Sequence, residues 1–339
     1  MEPLALNRPE GGLRMKCSSS SNAMDDVPIE VKTLGPVASR VEEAISRGVS
    51  FLERSQSADG SWSVTVRTAS GRLLRRFSET PFVSAFVAMC LRNVQGSEKL
   101  LRTCRDYLRS SCSEGKWWRF EGPSDQRSED IDDTVLARIA LAADGSMPPS
   151  WTDVLELATA NGACVTYRGR ERDHNSIDRV VNAHVLFALA ATDSVTQGLP
   201  IWLESEFRQR AWSHGSQYYI SGAAFLLAMA RAFAVIRSND TVLKDLAKTC
   251  TTELDSAGNQ LEASMLFAGL VYALGDDTRS LGTHWVQRLL RYQGADGRWP
   301  AIPFIRRRTV DMQYESAAFG TAIALEGLCE WLLCSGGIR

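Results

Sequence analysis

The sequence predicts an all-α protein: a single (α/α)6 barrel, with six inner helices inside a ring of six outer ones. From about residue 37 onward the chain repeats apolar segments with helical spacing, and we count twelve of them. Even-numbered segments are apolar on most faces, which suits full burial. Odd-numbered segments carry more Arg, Lys and Glu, which suits a solvent face. A closed two-layer ring of helices satisfies both demands.

The predicted segments cover most of the chain beyond residue 36. Strand patterning is scarce, and residues 64–66 and 73–74 predict at most a small hairpin around Gly71. A sheet of four strands is therefore not expected. The twelve helical segments are predicted near residues 37–54, 78–94, 97–110, 131–143, 150–161, 177–192, 199–209, 218–237, 240–254, 259–274, 279–292 and 313–334.

The first 35 residues differ in composition from the rest of the chain. They contain Pro, Gly, Arg and a serine tract at residues 18–21, without the apolar stretch of a secretory signal. We predict that residues 1–35 are disordered and that residues 36–339 form the one barrel domain. With 44% hydrophobic residues, a chain of 339 residues can bury a substantial core.

Charge and cysteine usage exclude several classes of protein. The net charge of -2 argues against a general nucleic-acid binder. The eight cysteines are scattered, mostly within apolar helical segments, and include no C-x-x-C pair. This usage favours reduced, buried thiols over a disulfide framework or a zinc site, and it predicts a cytoplasmic protein without a bound metal.

A short motif recurs after two outer segments. Residues 56–62 read Q-S-A-D-G-S-W and residues 293–299 read Q-G-A-D-G-R-W; a weaker copy at 114–117 lacks the Gln. Glycine permits a tight turn, tryptophan can cover the end of a helix pair, and glutamine can bond to free backbone groups there. We therefore predict structural roles for Gln56 and Gln293.

Three aspartates, Asp130, Asp132 and Asp133, stand within four positions at the start of an inner segment, directly after Glu129. Like charges this close raise the pKa of at least one carboxyl group, and burial raises it further. The cluster can therefore hold a protonated carboxylic acid at neutral pH. The structural alternative is a helix N-terminus, where free amides and the helix dipole favour acidic residues.

Up-down connectivity places the N-termini of all six inner helices at one mouth of the barrel. Together, the carboxylates there would form an acidic basin that keeps Asp132 protonated or holds a cation, although helix dipoles alone also explain them. His184 lies nearly opposite Asp178 and Asn182 around its helix and is left outside the predicted site. The side chains predicted to contact a substrate are Trp118, Tyr167, Asp178, Asn182, Tyr218, Tyr219, Glu262, Tyr314 and Glu315.

The repeated Q-x-x-D-G-x-W turns resemble the QW motifs of squalene–hopene cyclases and related class II terpene cyclases. The stretch Asp130-Ile131-Asp132-Asp133-Thr134 is similar to their D-x-D-D-T signature, and the resemblance covers roughly residues 40–335. It implies a terpenoid cyclase-like toroid in which Asp132 is the general acid, while Asp130 and Asp133 orient it and share its proton. The substrate would be a linear isoprenoid or a prenylated small molecule. No cofactor is implied, except Mg²⁺ if that substrate carries a diphosphate.

One departure from this family concerns size. Class II cyclases normally pair this barrel with a second one, and 339 residues leave no room for it. Either the single barrel encloses its own site, or a homo-oligomer or a partner barrel completes it; contact with a membrane surface stays open. Protein prenyltransferase β subunits share the toroid, but residues 310–314 lack the cysteine of their zinc site, which disfavours that branch.

Three other functions remain open. A carbohydrate-active (α/α)6 enzyme would use two mouth carboxylates as acid and base, the chemistry of an inverting glycosidase. A divergent tailoring enzyme would keep the barrel and the aspartates for different, metal-assisted chemistry, and a binding scaffold would not catalyse at all. Apolar surroundings of Asp132 favour the cyclase. A polar, tryptophan-lined open cleft favours the carbohydrate enzyme, and an ordered His/carboxylate cation site favours the tailoring enzyme.

Overall fold

The computed structural model describes residues 35–77, 80–114, 116–122, 128–142, 150–170, 175–192, 194–195, 197–236, 240–281, 283–307 and 311–335. The segment 1–35 therefore lies, but for its last residue, outside the described residues, and its predicted disorder stays a prediction. The domain bounds 36–339 likewise stay a prediction.

The described residues form twelve α-helices, one for each predicted segment, which confirms the all-α fold class. The outer helices are α1 (Gly35–Ser55), α3 (Glu98–Ser111), α5 (Thr152–Leu155), α7 (Gly198–Arg208), α9 (Asp240–Ser256) and α11 (Thr283–Tyr292). The inner helices are α2 (Pro81–Leu91), α4 (Ile131–Ala142), α6 (Arg179–Ala190), α8 (Gly222–Ile236), α10 (Gln260–Leu274) and α12 (Ala317–Ser335). A short 3₁₀ helix, Gly275–Ser280, follows α10.

The inner helices close into a ring. Each packs against the next, from α2 through α4, α6, α8 and α10 to α12, and α12 packs back against α2. Every residue of α2 is buried, whereas the outer helix α3 buries one side only, with Leu101, Cys104 and Leu108 at helical spacing. Helix α12 is long and apolar enough to cross a membrane by composition, but most of it is buried within this ring.

Several helices are shorter than their predicted segments, and for three of them the structure shows the reason. Helix α5 is a single turn, because the chain turns back at residues 159–163, where the Thr159 amide donates to the Ala163 carbonyl. Helices α8 and α12 begin four residues later than predicted, at Gly222 and Ala317, because the residues before them pair with strands instead.

A four-stranded antiparallel sheet covers the mouth at which the inner helices begin, in the order β2-β1-β4-β3. Strands β1 (Val64–Arg67) and β2 (Leu73–Phe77) are the predicted hairpin; β3 (Pro303–Arg307) and β4 (Met312–Glu315) were not predicted. The expectation of a hairpin at most is therefore wrong. The pairing of β1 with β4 joins distant parts of the chain, so it depends on closure of the helical ring and leaves no local pattern.

The tryptophan turns share one hydrogen-bonding arrangement. The Trp62 indole donates to the Leu52 carbonyl of the preceding outer helix at 3.1 Å, and the Trp62 amide donates to the Ser84 hydroxyl of the next inner helix at 3.2 Å. These two bonds fix the angle between the helices of a pair. The same two bonds are made by Trp118 with Leu108 and Thr134, by Cys164 with Val154 and Asn182, and by Trp299 with Leu289 and Thr321.

The two glutamines make the backbone contacts expected of structural residues. The Gln56 amide donates to the Gly60 carbonyl of its own turn at 2.9 Å and to the Leu100 carbonyl of α3 at 3.1 Å. Gln293 repeats this with Gly297 at 2.9 Å and with Ala44 of α1 at 2.8 Å. Each glutamine thus ties its turn to a neighbouring outer helix, and Gln293 joins the end of the barrel to its beginning.

We predict that Gln56→Ala lowers the free energy of unfolding by about 1 kcal/mol or more, because two buried carbonyls lose a donor. Urea denaturation followed by circular dichroism measures the change. Gln209→Ala is the matched control, since that exposed amide bonds only to the Ser205 hydroxyl of its own helix. Equal effects of the two substitutions would contradict the structural role.

Candidate active site

The aspartate cluster forms the N-terminal end of α4. The Asp130 carboxylate accepts a hydrogen bond from the Asp132 amide at 2.7 Å and so caps the helix. The Thr134 hydroxyl donates to the Asp130 carbonyl at 2.7 Å and accepts from the Trp118 amide at 3.2 Å. The threonine thus connects the cluster rigidly to a tryptophan turn, and the orientation of the aspartates follows from the packing of the helix pair.

Asp132 is held through both carboxyl oxygens. It is 5% exposed, and its Oδ1 lies 2.7 Å from Nδ1 of His184, on α6. Its Oδ2 accepts a hydrogen bond from the hydroxyl of Tyr219, in the segment that precedes α8. Both partners are buried as deeply as Asp132 itself. Three elements of the barrel therefore meet at this one carboxyl group, which is almost removed from solvent.

The sheet positions Tyr219. The Ile220 amide donates to the Phe304 carbonyl of β3 at 3.1 Å, and the Arg306 amide of β3 donates to the Tyr218 carbonyl at 2.8 Å. Strand β3 thus extends its pairing onto the segment that carries Tyr219. A displacement of β3 would move the hydroxyl that is bonded to Asp132.

Burial determines the protonation of the cluster. It raises the pKa of Asp130 to about 8, and the charge of Asp132 adds to this effect, while the amides at the start of α4 oppose it. Burial also raises the pKa of Asp178, which caps α6 by accepting from the Val180 amide at 2.8 Å. Burial and the Asp132 carboxylate raise the pKa of the Tyr219 hydroxyl, which therefore donates to Asp132. The cluster retains a proton at neutral pH.

Aromatic rings surround the partners of Asp132. We define the aromatic cluster as Phe82, Phe86, Phe120, Phe304, Tyr314 and Phe319. Its ring centroids are 4.0 Å apart for Phe304 and Phe319 and 4.3 Å apart for Phe86 and Phe319. The cluster reaches His184 through Phe86, at 6.1 Å, and Tyr219 through Phe82, at 6.4 Å. The surroundings of the carboxyl group are therefore mainly apolar and closely packed. A cavity of about 30 Å³ borders Phe304 between β3, α8 and α10.

Part of the predicted site is assembled around the aspartates. Asp178 lies close enough to Asp132 for its pKa to respond to that charge. The rings of Tyr167 and Tyr218 meet edge to face at 5.9 Å, and the charge of Asp130 raises the pKa of both hydroxyls in addition to the effect of burial. The Tyr314 ring contacts Phe120 at 5.0 Å within the aromatic cluster.

Four predicted residues have other partners. Trp118 and Asn182 bond to backbone groups in two of the four turn arrangements, so their polar atoms support helix pairs. Glu262 accepts from the Gly258 amide at 3.1 Å beside the N-cap of α10, although it also borders the small cavity. Glu315 accepts from Arg67 at 2.6 Å in a separate open cleft of about 520 Å³.

Sequence reasoning left His184 outside the site and missed three members of the aromatic cluster, Phe82, Phe86 and Phe304. It assumed that Asp178 and Asn182 face the barrel interior, which turns His184 away; in the structure Asn182 contacts the turn at Cys164 and His184 faces Asp132. Because this inner helix is apolar on nearly all faces, its sequence pattern does not show which of its few polar residues points to the barrel interior. Phe304 was missed because β3 was not predicted.

Within the described ranges, no group of three or more His, Cys, Asp and Glu side chains has a metal-binding arrangement.

No protein-family model and no curated protein matches the chain, whereas solved structures share its fold. The apo form of the type II terpene cyclase MstE from Scytonema matches with a TM-score of 0.69 and 14% identity, over 88% of this chain and 99% of that one. A protein from Actinoplanes matches with a TM-score of 0.68 and 15% identity, over 86% and 99% of the two chains.

An α-amylase from Clostridium perfringens matches less well, with a TM-score of 0.56 and 13% identity over 86% of this chain and 98% of that chain. Variants of MstE have been solved with geranylgeranyl dihydroxybenzoate as substrate and with merosterolic acid A as product. These identities establish a shared toroid and nothing finer. The family resemblance drawn from the sequence is matched at the level of fold, and the MstE chain is covered almost completely by this single barrel.

We predict that the Asp130 proton makes stability depend on pH. The folded carboxyl keeps its proton up to about pH 8, whereas the unfolded one loses it near its ordinary value of 3.8. Its contribution to stability is therefore complete at low pH and is lost as the pH rises through that interval. Relative to Asp130→Asn, the wild type should lose up to about 1.4 kcal/mol per pH unit between about pH 5 and pH 8. Urea titrations at several pH values measure this, and a flat difference would contradict it.

Proposed function

We propose that the protein is a class II terpene cyclase-like enzyme that begins the cyclisation of a linear isoprenoid or prenylated small molecule by protonation. One observation carries the proposal: Asp132 is a buried carboxyl group held at both oxygens, and the two partners that hold it pack against aromatic rings. A protonated carboxyl group from which water is excluded suits the protonation of a carbon–carbon double bond or an epoxide, because water does not compete for its proton.

In the proposed first step, the Asp132 proton forms a bond to a terminal alkene carbon or to an epoxide oxygen, and a carbocation results. The Asp132 carboxylate that remains accepts from the Tyr219 hydroxyl, and from His184 in its Nδ1–H tautomer. These fixed donors stabilise the carboxylate more than the neutral acid, which strengthens the acid in the transition state. Asp130 positions the Asp132 backbone and shares with Asp132 the proton that the cluster retains, so that Asp132 receives this proton before it donates it.

The carbocation would then be attacked by the next double bond, and each ring closure would move the positive charge along the chain. The faces of the aromatic cluster can stabilise that charge by cation–π attraction without reacting with it. The cascade would end when the final carbocation loses a proton to water, and a proton from water would restore Asp132, so that the atoms balance as an isomerisation. Because the rings of Phe304 and Phe319 lie 4.0 Å apart, substrate entry requires β3 or its phenylalanine to move.

The apolar surroundings of Asp132 support a cyclase over the carbohydrate-active alternative, which needs a polar, open cleft. The likeness to MstE supports two further proposals. The single barrel encloses its own site without a second barrel, since that chain is matched over 99% of its length. Prenylated aromatic acids, such as the geranylgeranyl dihydroxybenzoate bound by MstE, are the first compounds to assay.

We predict that Asp132→Asn abolishes turnover, with a loss of at least about 10³-fold, because the amide keeps the shape but has no acidic proton. A panel of prenyl alcohols, prenyl diphosphates and prenylated aromatic acids is assayed by mass spectrometry for cyclic products. Asp240→Asn, an exposed carboxylate at the start of α9, is the control for folding and should keep full activity. The cyclase mechanism is falsified if Asp132→Asn converts a substrate as fast as the wild type does.

We further predict that Tyr219→Phe lowers kcat by about 10²-fold, because the Asp132 carboxylate loses one of its two donors in the transition state. The phenyl ring preserves the packing against Phe82, so the melting temperature should change little. Tyr218→Phe is the matched control: its hydroxyl bonds to Ser176, and it should reduce kcat much less. If both variants lost activity equally, the hydroxyl on Asp132 would have no special role.

A further inference from the structure

A second polar group lies inside the inner ring, in the C-terminal halves of the helices and so on the far side of the aromatic cluster from the mouth. We call Cys90, Arg231, Tyr272 and Glu326 the floor cluster; they come from α2, α8, α10 and α12. Arg231 and Glu326 are 1% and 2% exposed. Arg231 Nε donates to Glu326 at 3.0 Å, its Nη2 donates to the other carboxylate oxygen, and the Tyr272 hydroxyl donates to Glu326 at 2.8 Å.

One nitrogen of this guanidinium has no partner. Arg231 Nη1 is buried and makes no hydrogen bond, while Nε and Nη2 are both bonded. Buried donors are almost always satisfied in folded proteins, and leaving one unsatisfied costs free energy. A position that keeps an unsatisfied donor next to a completed ion pair is therefore a candidate binding position for an oxygen atom.

The guanidinium borders the aromatic cluster. Its Cζ lies 5.2 Å from the Phe86 ring centroid, and Phe86 in turn contacts His184 at 6.1 Å and Phe319 at 4.3 Å. Phe319 contacts Phe304 of β3 at 4.0 Å. A continuous row of rings thus leads from the sheet, past the histidine on Asp132, to Arg231. An isoprenoid chain that displaces these rings would extend from the acid at one end to the free donor at the other.

The local charge selects the kind of oxygen. Arg231 already has both oxygens of Glu326, and Arg92 lies 4.0 Å from the same carboxylate, while Glu330 accepts from Asn93 on the same side of the barrel. Two positive and two negative groups therefore balance. An added anion would be buried against two carboxylates without net positive charge to compensate it, whereas a neutral oxygen only needs the free N–H.

We propose that Arg231 Nη1 is the subsite for a neutral oxygen of the substrate, a hydroxyl, carbonyl or phenol, at the end of the chain away from the double bond that Asp132 protonates. The orientation of the chain rests on the proposed function; the subsite itself does not. It selects prenyl alcohols, ketones or phenols over prenyl diphosphates and over hydrocarbons.

The test compares the binding of farnesol, farnesyl diphosphate and β-farnesene, which share one prenyl chain, to the Asp132→Asn protein by equilibrium dialysis. Binding is measured without turnover, so its outcome is independent of whether the protein is a cyclase. We expect farnesol to bind about tenfold more tightly than β-farnesene, the effect of one hydrogen bond to a charged group, and more tightly than the diphosphate.

The variants are added to that same background. Arg231→Lys keeps a cation beside Glu326, but its single nitrogen cannot both pair with Glu326 and occupy the position of Nη1, so the preference for farnesol over β-farnesene should fall to about twofold or less. If this variant does not fold, the double change Arg231→Met with Glu326→Met removes the pair without leaving a buried charge and tests the same ratio. Arg138→Lys is the control: this buried arginine is paired with Asp153 and with backbone carbonyls outside the inner ring, and it should leave the ratio unchanged.

Three binding results and one turnover result would overturn the subsite. The farnesol preference could persist after the Arg231 changes, farnesyl diphosphate could bind most tightly through Arg231, or none of the three probes could bind. If Asp132→Asn keeps full turnover but the preference for farnesol still depends on Arg231, the cyclase mechanism is refuted and the subsite is supported. Normal turnover on a substrate without a neutral oxygen would support the cyclase function and contradict the subsite.

Discussion

Closure of the inner ring is the constraint on which the rest of the structure depends. Six helices that are apolar on nearly every face cannot bury themselves in an open row, because the two end helices would each expose an apolar side. Packing α12 against α2 removes both exposed sides. It also brings the first and last helix pairs together, and this allows Gln293 to reach Ala44 and β1 to pair with β4. Contacts between the two ends of the chain thus follow from burial.

The same closure positions Asp132, the proposed acid. The sheet exists because the chain ends meet, and its strand β3 extends backbone pairing to the segment that holds Tyr219. Asp132 receives this hydroxyl from one side of the ring and His184 from another, so its environment is complete only in the folded barrel. Because three separate elements hold this carboxyl group, it is almost removed from solvent only while the barrel is closed.

The sequence predicted those features that repeat locally. Twelve helices, the tryptophan turns and the aspartate motif each leave a pattern within a few residues. Features that depend on which helix face points inward were not predictable. Asn182 and His184 are two positions apart on an apolar helix; Asn182 was predicted to lie in the site and supports a turn instead, whereas His184 was left outside the site and contacts Asp132. Cys164 replaces a tryptophan with the same two bonds, which no motif reveals. Strands β3 and β4 depend on closure, and closure has no local signature.

The chemical character of the barrel interior changes along the barrel axis, and this order limits which ligands can bind there. At one end the aspartate cluster retains a proton, in the middle lie aromatic rings with polarisable faces, and at the other end Arg231 and Glu326 neutralise each other. An uncompensated arginine would repel a carbocation, whereas an uncompensated glutamate would deprotonate or trap it. The ion pair avoids both effects and still leaves one N–H free. A substrate with one reactive apolar end and one neutral polar end matches this order. Bound in the opposite orientation, the substrate would place its hydrocarbon end against the free N–H group of Arg231.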